Sequence, residues 1–289
     1  MKNTTPIETK KKPQISNLEG KGGGRVRALE RGLHIIKCFD VEHPSWSIAD
    51  LGRAVGLHSA TTRRLVKTLQ SESILTMDPD SGQYRLGAAL LPLTYLARSQ
   101  DQLVRVAQPI LERIAARTGE TVGLAIWTDR GVLLVYGITT PRFFKPVLTP
   151  GQVSTQYGST HSKIFLAFGP EERLSKLTLG ERGPTMTLAE LADLREELNK
   201  IRETGIAYDI EERSKEVCAV GVPVRDAVGE VVASIAVIVP KERFGAAQKD
   251  MISSYIKEAG DALSRELGFR GYGERSIQKA TQGWSAVAQ

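Results

Sequence analysis

Two hydrophobic rhythms divide this chain. Up to about residue 70, apolar residues recur at helical spacing. Ala28, Leu29, Leu33, Ile36 and Cys38 or Phe39 predict a helix over 25–40; Ile48, Leu51, Ala54 and Val55 predict a second; Leu65, Val66 and Leu69 predict a third. Ser47 stands as N-cap of the second helix, Gly56 as its left-handed end, and Ser59 as N-cap of the third. Runs at 74–77 and 83–86, separated by Asp78-Pro-Asp-Ser-Gly82, predict a β-hairpin. Three helices and a hairpin make a winged helix-turn-helix. The stretch GAALLPLTYLAR, 87–98, predicts a linker helix partly buried against a second copy of itself.

Past residue 100 the period changes. A helix over 101–117 is followed by strands at 121–127, 132–138 and 143–148 and by short helices at 161–168 and 171–177. A helix then opens on the capping box Thr187/Glu190 and closes at Gly205. Strands at 206–210, 217–225 and 230–239 lead to Pro240 and a last helix to about residue 267. Strands that arrive in runs joined by tight turns predict a mainly antiparallel sheet with helices packed on it, an α+β class. The expected organisation is a tail over 1–24, a winged helix-turn-helix over 25–86, a linker over 87–100, an α+β domain over 101–270 and a tail over 271–289.

Charge sharpens this division. Residues 1–98 hold fifteen Lys and Arg against nine Asp and Glu, and the remainder holds twenty-four of each, so the whole net charge of +6 lies in the first third. Five of those cations fall in the first 24 residues, but the asymmetry still favours a polyanionic partner for the N-terminal part. No apolar run suits a signal peptide or a membrane span. Two cysteines 180 positions apart and four scattered histidines give neither a disulfide framework nor a metal spacing. A cytoplasmic protein without metal or cofactor is expected. GKGGG at 20–24 lacks the preceding strand and following Lys-Ser or Lys-Thr of a phosphate loop.

The third helix carries the chemistry of the first part. In a helix-turn-helix the second helix enters the major groove, with its first turn against base edges and phosphates. Ser59, Thr61, Thr62, Arg63, Arg64 and Lys67 are the expected contacts, and Arg85 on the wing is expected to touch phosphate. Arg63 is assigned to the outward face and base reading; Arg64, nearer the packed side, is assigned to a phosphate.

The segments RALERGLHIIKCF, SIADLGRAVGLHSATTRRLVKTL and QYRLGAALLPL resemble the DNA-binding half of the IclR family of bacterial transcription regulators. The resemblance continues in RTGETVGLAIW and in the stretch from Ile201 to Pro240, and covers roughly 25–268. It implies a homodimer, often a dimer of dimers, on a palindromic double-stranded DNA operator. It also implies a GAF-like C-terminal domain whose small organic acid effector changes operator affinity, with a catabolic pathway as the regulated target. Carried over position by position, the effector site falls on Ser159, Thr160, His161, Asp209, Glu212, Ala219, Ser234, Ala236 and Ile238. Period two puts Ser234, Ala236 and Ile238 on one face of a strand, and the loop at 157–162 offers hydroxyls and N–H groups at a helix start.

Departures from the family pattern are Ser162, Glu216 and Gly221, where the family has glycine, glycine and alanine. The apolar Ala236 and Ile238 favour a larger or aromatic acid, with Trp127, Tyr136 and Tyr157 as candidate aromatic walls. Catalysis is not expected. No G-x-S-x-G is present, and an assembly of Ser159 or Ser162 with His161 and Asp209 crowds the serines and the histidine into one loop. Cys218 reads as a small core residue. The competing reading is a metabolite-sensing or enzymatic α+β protein whose basic N-terminal domain binds something other than DNA.

Overall fold

The computed structural model describes residues 26–40, 43–143, 145–178 and 187–271. The chain divides between Arg98 and Ser99 into two compact units. The tail expected at 1–24, and all of the tail expected at 271–289 except Gly271, lie outside the described residues.

In the first unit, α1 (Arg27–Ile36), α2 (Ile48–Val55) and α3 (Ser59–Ser71) precede the hairpin of β1 (Leu75–Met77) and β2 (Tyr84–Leu86). The Ser47 side chain caps α2 by accepting the Asp50 N–H, and Gly56 ends that helix at φ 65°. α3 starts differently from the expectation: its N-cap is His58, without a side-chain cap, and Ser59 is already helical. α1 is shorter than 25–40 and is turned. Gly32 and Ile35 face inward, and Cys38 and Phe39 follow them into the core, while Ala28, Leu29 (62% exposed) and Leu33 (46%) face out. Two apolar stripes compete on this helix. The one that leads into Phe39 packs on Trp46, Leu51 and Val66 and prevails.

Trp46, which periodicity alone does not mark, is buried at the centre of this core and exchanges both backbone hydrogen bonds with Tyr84, at 2.9 and 2.7 Å. At the tip of the hairpin, Asp78 Oδ1 accepts the N–H groups of Asp80 and Ser81 and the Ser81 hydroxyl, which holds its carboxyl below the ordinary range. At the base of the hairpin only glycine fits at 87, because a Cβ there would stand 2.1 Å from the Ser73 carbonyl oxygen.

α4 (Leu90–Gln100) leads out of this unit. In the second unit, α5 (Gln102–Thr118) is capped by Asp101 and ended by Gly119 at φ 66°. β3 (Thr121–Thr128), β4 (Gly131–Ile138) and β5 (Val153–Ser154) follow, then α6 (Thr160–Phe168), α7 (Glu171–Thr178) and α8 (Leu188–Thr204). β6 (Ala207–Ile210), β7 (Val217–Arg225), β8 (Val231–Pro240) and α9 (Ala246–Glu266) complete the unit. The Thr187/Glu190 capping box opens α8. All described strand pairings in the sheet are antiparallel, in the order β5-β4-β3-β8-β7-β6. Of the strand expected at 143–148, the described residues 143 and 145–148 are not in a strand. The edge of β4 is taken by Val153–Ser154, and the Pro146 carbonyl accepts the Thr121 hydroxyl at 3.0 Å instead of entering a ladder.

The two faces of this sheet differ in bulk, and the difference places the site. One face carries Val122, Leu124, Val220, Val222, Val224, Ile235, Val237 and Val239 against Leu111 and Ile114 of α5 and Ile252, Ile256 and Leu263 of α9. The other face is nearly bare. Gly137, Gly123, Ala236, Gly221 and Ala207 are successive register partners across five strands, flanked by Ser234 and by Ala219. Small residues let α6 settle close: a Cβ on Gly221 would come within 2.7 Å of the Thr160 Cβ.

Candidate functional site

On α3 the outer face follows from helix geometry. Thr62 and Val66 are fully buried, and at roughly 100° per residue Arg64 stands nearly opposite that pair. Ser59, Ala60, Arg63, Arg64 and Lys67 are exposed and Thr61 is half-buried. Arg63 falls on a flank, about 100° from Thr62. By rotation about the helix axis Arg64 is the farther of the two from the buried pair, and both arginines are exposed. Thr62, by contrast, is turned inward onto α2. Its hydroxyl donates to the His58 carbonyl at 3.1 Å, and Gly52 of α2 lies so close that a Cβ there would be 3.1 Å from Thr62 Oγ1. Arg85 is exposed on β2, in register with Thr76. Beside α3, the outward apolar residues of α1 line a groove of about 700 Å³ with Leu65 and Leu69, and Arg64 is also part of its lining.

A second site lies over the bare face of the sheet. The Ser159 hydroxyl accepts the Ser162 N–H at 3.1 Å and caps α6, and the Ser162 hydroxyl donates to the Gln156 carbonyl at 2.6 Å. Neither serine bonds His161. His161 instead meets Ser234 of β8, Nδ1 to Oγ 3.1 Å, across 73 positions of sequence. Its other nitrogen, Nε2, is buried without a hydrogen-bond partner among the described residues. That nitrogen overlooks Gly123: a Cβ there would lie 3.4 Å from Nε2, 3.1 Å from Leu134 Cδ1 and 2.9 Å from Leu148 Cδ1. Burial, helped by the positive charge of Arg213, holds the imidazole pKa to about 3, so the ring is neutral at physiological pH.

Asp209 Oδ1 accepts the N–H groups of Glu212 and Arg213, at 3.0 and 3.4 Å, and so shapes its own turn. Burial raises its carboxyl above the ordinary value. Glu212 is committed too. Lys163, fully buried, donates to Glu212 Oε1 at 2.7 Å, to Glu197 Oε1 at 2.7 Å and to the Tyr208 carbonyl at 2.8 Å, pinning α6 to α8 and β6. Asp209 and Glu212 thus support the site. Of the other expected positions, Ala219, Ser234 and Ala236 are buried and Ile238 is half-buried, and register places them all on the bare face. Trp127 and Tyr157 pack with the α6 side, but Tyr136 packs with the α5–α9 core and leaves the proposed aromatic wall. Cys218 is buried and its thiol is raised by that burial.

Lys163→Met is expected to lower the stability of the second unit by about 2–3 kcal/mol, measured by urea unfolding. The Tyr208 carbonyl would lose its partner inside the protein, whereas Glu197 and Glu212 are partly exposed and turn to water.

Among the described residues no cluster of His, Cys, Asp and Glu suits a metal, and no described helix is long and apolar enough to cross a membrane.

Comparison with known proteins reaches both units. A family model for the IclR helix-turn-helix domain matches residues 28–79, and one for the bacterial transcriptional regulator IclR C-terminal domain matches 95–265. The DNA-binding transcriptional repressor YiaJ of Escherichia coli is 29% identical over 249 residues, covering 84% of this chain and 88% of that protein. A crystal structure of an IclR-family regulator from Brucella abortus superposes with TM-score 0.74 at 24% identity, over 89% of this chain and 98% of that one. An IclR homologue from Microbacterium hydrocarbonoxydans, solved with 4-hydroxybenzoate, superposes with TM-score 0.68 at 23% identity, over 83% and 98%.

Proposed function

The chain belongs to the IclR family of bacterial transcriptional regulators, and from that premise we propose that two copies grip a palindromic operator through α3 and the wing, under control of a small organic acid. DNA binding and transcription regulation come with the family. The assignment of contacts rests on one observation: Arg64 and Lys67 project from a helix whose opposite face is locked by Thr62 and Val66. Arg64 reads a base, Lys67 and Arg63 hold phosphate, and Arg85 holds phosphate from the wing. Ser59 and Thr61 flank the first turn.

A homodimer accounts for α4, which leaves Leu91, Leu93, Tyr95 and Leu96 at least half exposed. Pairing α4 with its copy removes that surface from water, and association of such dimers in pairs follows the family pattern. A chromosomal target places the protein in the cytoplasm. The effector occupies the site over β3, β8 and β7. The 4-hydroxybenzoate bound to the Microbacterium homologue supports an organic, aromatic acid here as well. A catalytic role finds no support in the geometry, since Ser159, Ser162 and Asp209 are bonded elsewhere than to His161.

Fluorescence anisotropy with the DNA upstream of its own gene tests this reading. A complex is expected that prefers this sequence over scrambled DNA and weakens steeply with salt. Equal affinity for both DNAs, or binding without salt dependence, overturns it in favour of a non-DNA partner.

A further inference from the structure

We propose that the segment 139–148 is a releasable strap: it closes the site of the second unit with its own Leu148, and Arg142, latched on the buried carboxylate of Glu120, is the contact whose release lifts it. The inference rests on the regulator reading above and adds the internal contact that an effector has to displace.

The small-residue face of the sheet is covered here by the chain itself. Cβ atoms added at Gly123 and Gly137 would lie 2.9 and 3.4 Å from Leu148 Cδ1, and the second would lie 3.3 Å from Leu148 Cβ. These two glycines are register partners on β3 and β4, so together they form a socket in which the Leu148 side chain sits. The segment that brings it there is tied at two points. The Thr140 hydroxyl donates to the Gly119 carbonyl at 2.7 Å, and the Thr121 hydroxyl donates to the Pro146 carbonyl at 3.0 Å. Among the described residues of the segment, 143 and 145–148 belong to no strand, Phe143 is fully exposed and Val147 is 73% exposed. A segment without ladder bonds and with apolar residues turned to water is drawn from the low-stability end of a fold.

The latch follows from the unequal grip of two arginines on one carboxylate. Glu120 is fully buried. Arg243, from the turn after β8, holds it with Nε on Oε1 and Nη2 on Oε2, both at 2.7 Å, the paired geometry that suits a carboxylate best. Arg142, from the strap, adds one bond at 3.1 Å and is 45% exposed. Its guanidinium lies across Gly119, where a Cβ would come within 2.6 Å of Nη2. Stripping a buried carboxylate of its only cation is costly, but Arg243 stays when Arg142 leaves. Arg142 therefore exchanges Glu120 for water at little cost, whereas loss of Arg243 leaves a buried charge with one half-exposed, singly bonded partner. One arginine keeps the carboxylate paired, and the other is free to act as a catch. With the catch released, Leu148 leaves its socket and uncovers Gly123 and Gly137.

The test places a thiol on the strap. Leu148→Cys in the full-length protein is labelled with iodoacetamide, and mass spectrometry reads the rate at position 148 beside that at Cys218, which is buried on β7 and reports general loosening. Adding Arg142→Ala is expected to speed labelling at 148 at least tenfold and to leave Cys218 unchanged. Arg142→Lys, which keeps a cation, is expected to restore part of the protection. Adding Arg243→Ala is expected to speed both thiols, because Glu120 then loses its paired partner. With Leu148 in place, Arg142→Ala is expected to shift operator affinity at least threefold with no small molecule added, since the strap then opens without an effector. Unchanged labelling at 148, labelling that rises alike at both thiols in Arg142→Ala, or an unaltered operator affinity overturns the inference. Operator binding by the wild type keeps the two readings apart. A protein that binds no operator fails as a regulator, whereas one that holds its operator while Arg142→Ala leaves 148 protected loses only the strap.

Discussion

Arg64→Ala is expected to weaken specific operator binding by about 1–3 kcal/mol, roughly 5- to 150-fold, and to relax the preference at one base pair of each half-site. The size follows from what a guanidinium does in the major groove: a bidentate donor fork aimed at guanine leaves two acceptors unmet when it is removed. The assignment to Arg64 follows from its position nearly opposite the buried Thr62 and Val66, which places its long side chain at the crest of α3. Arg63→Ala, on the flank, is expected to lower affinity for specific and scrambled DNA alike and to reduce the salt slope by about one. Anisotropy titrations at several salt concentrations separate the two outcomes. If Arg63→Ala relaxes sequence preference while Arg64→Ala changes only the slope, the order argued from the helix is wrong. Thr62→Val supplies the control. It removes a hydroxyl bonded to His58 inside the unit and should change the melting temperature without touching the salt slope.

Much of this architecture is legible in the chain because it is specified locally. Ser47 and Gly56 at the ends of α2, Asp101 and Gly119 at the ends of α5, and the Thr187/Glu190 box are each encoded within a few residues of where they act. The strands β6, β7 and β8 are long apolar runs between turns and announce themselves in the same way. What escaped depends on distant parts of the chain. Thr62 reads as a polar, outward residue until Gly52 is known to press on it. The run at 143–148 has strand-like composition, but the edge it needed is occupied by Val153 and Ser154. At the proposed effector site the sequence itself marks the loop around His161 and the face of β8. The bond from His161 to Ser234, and the unpaired nitrogen it leaves, exist only once strand and helix are brought together. Likewise Asp209 and Glu212 carry the right charge for a site and are consumed in building it.

Acidification is expected to destabilise the second unit through His161 by about 1.5 kcal/mol between pH 6.5 and pH 5. In the unfolded chain the imidazole takes a proton near its ordinary pKa of 6.5, whereas in the folded protein burial and Arg213 defer protonation to about 3. Between those values the unfolded state binds more protons than the native state. Stability therefore rises with pH through this window and falls as pH drops, by about 1.4 kcal/mol per unit. Asp209 acts in the opposite sense, because its raised pKa makes the folded state take up a proton before the unfolded chain does. The two are told apart by Asp209→Asn, which removes the carboxyl and leaves the histidine. Urea unfolding at pH 7, 6 and 5 should show the loss in the wild-type protein and a flattened dependence in His161→Phe; equal slopes in both would mean that the imidazole is solvated and already free to ionise. Replacing an orphaned nitrogen by carbon relieves the cost of burying it unsatisfied, so His161→Phe combined with Ser234→Ala is expected to be at least as stable as the wild type at pH 7.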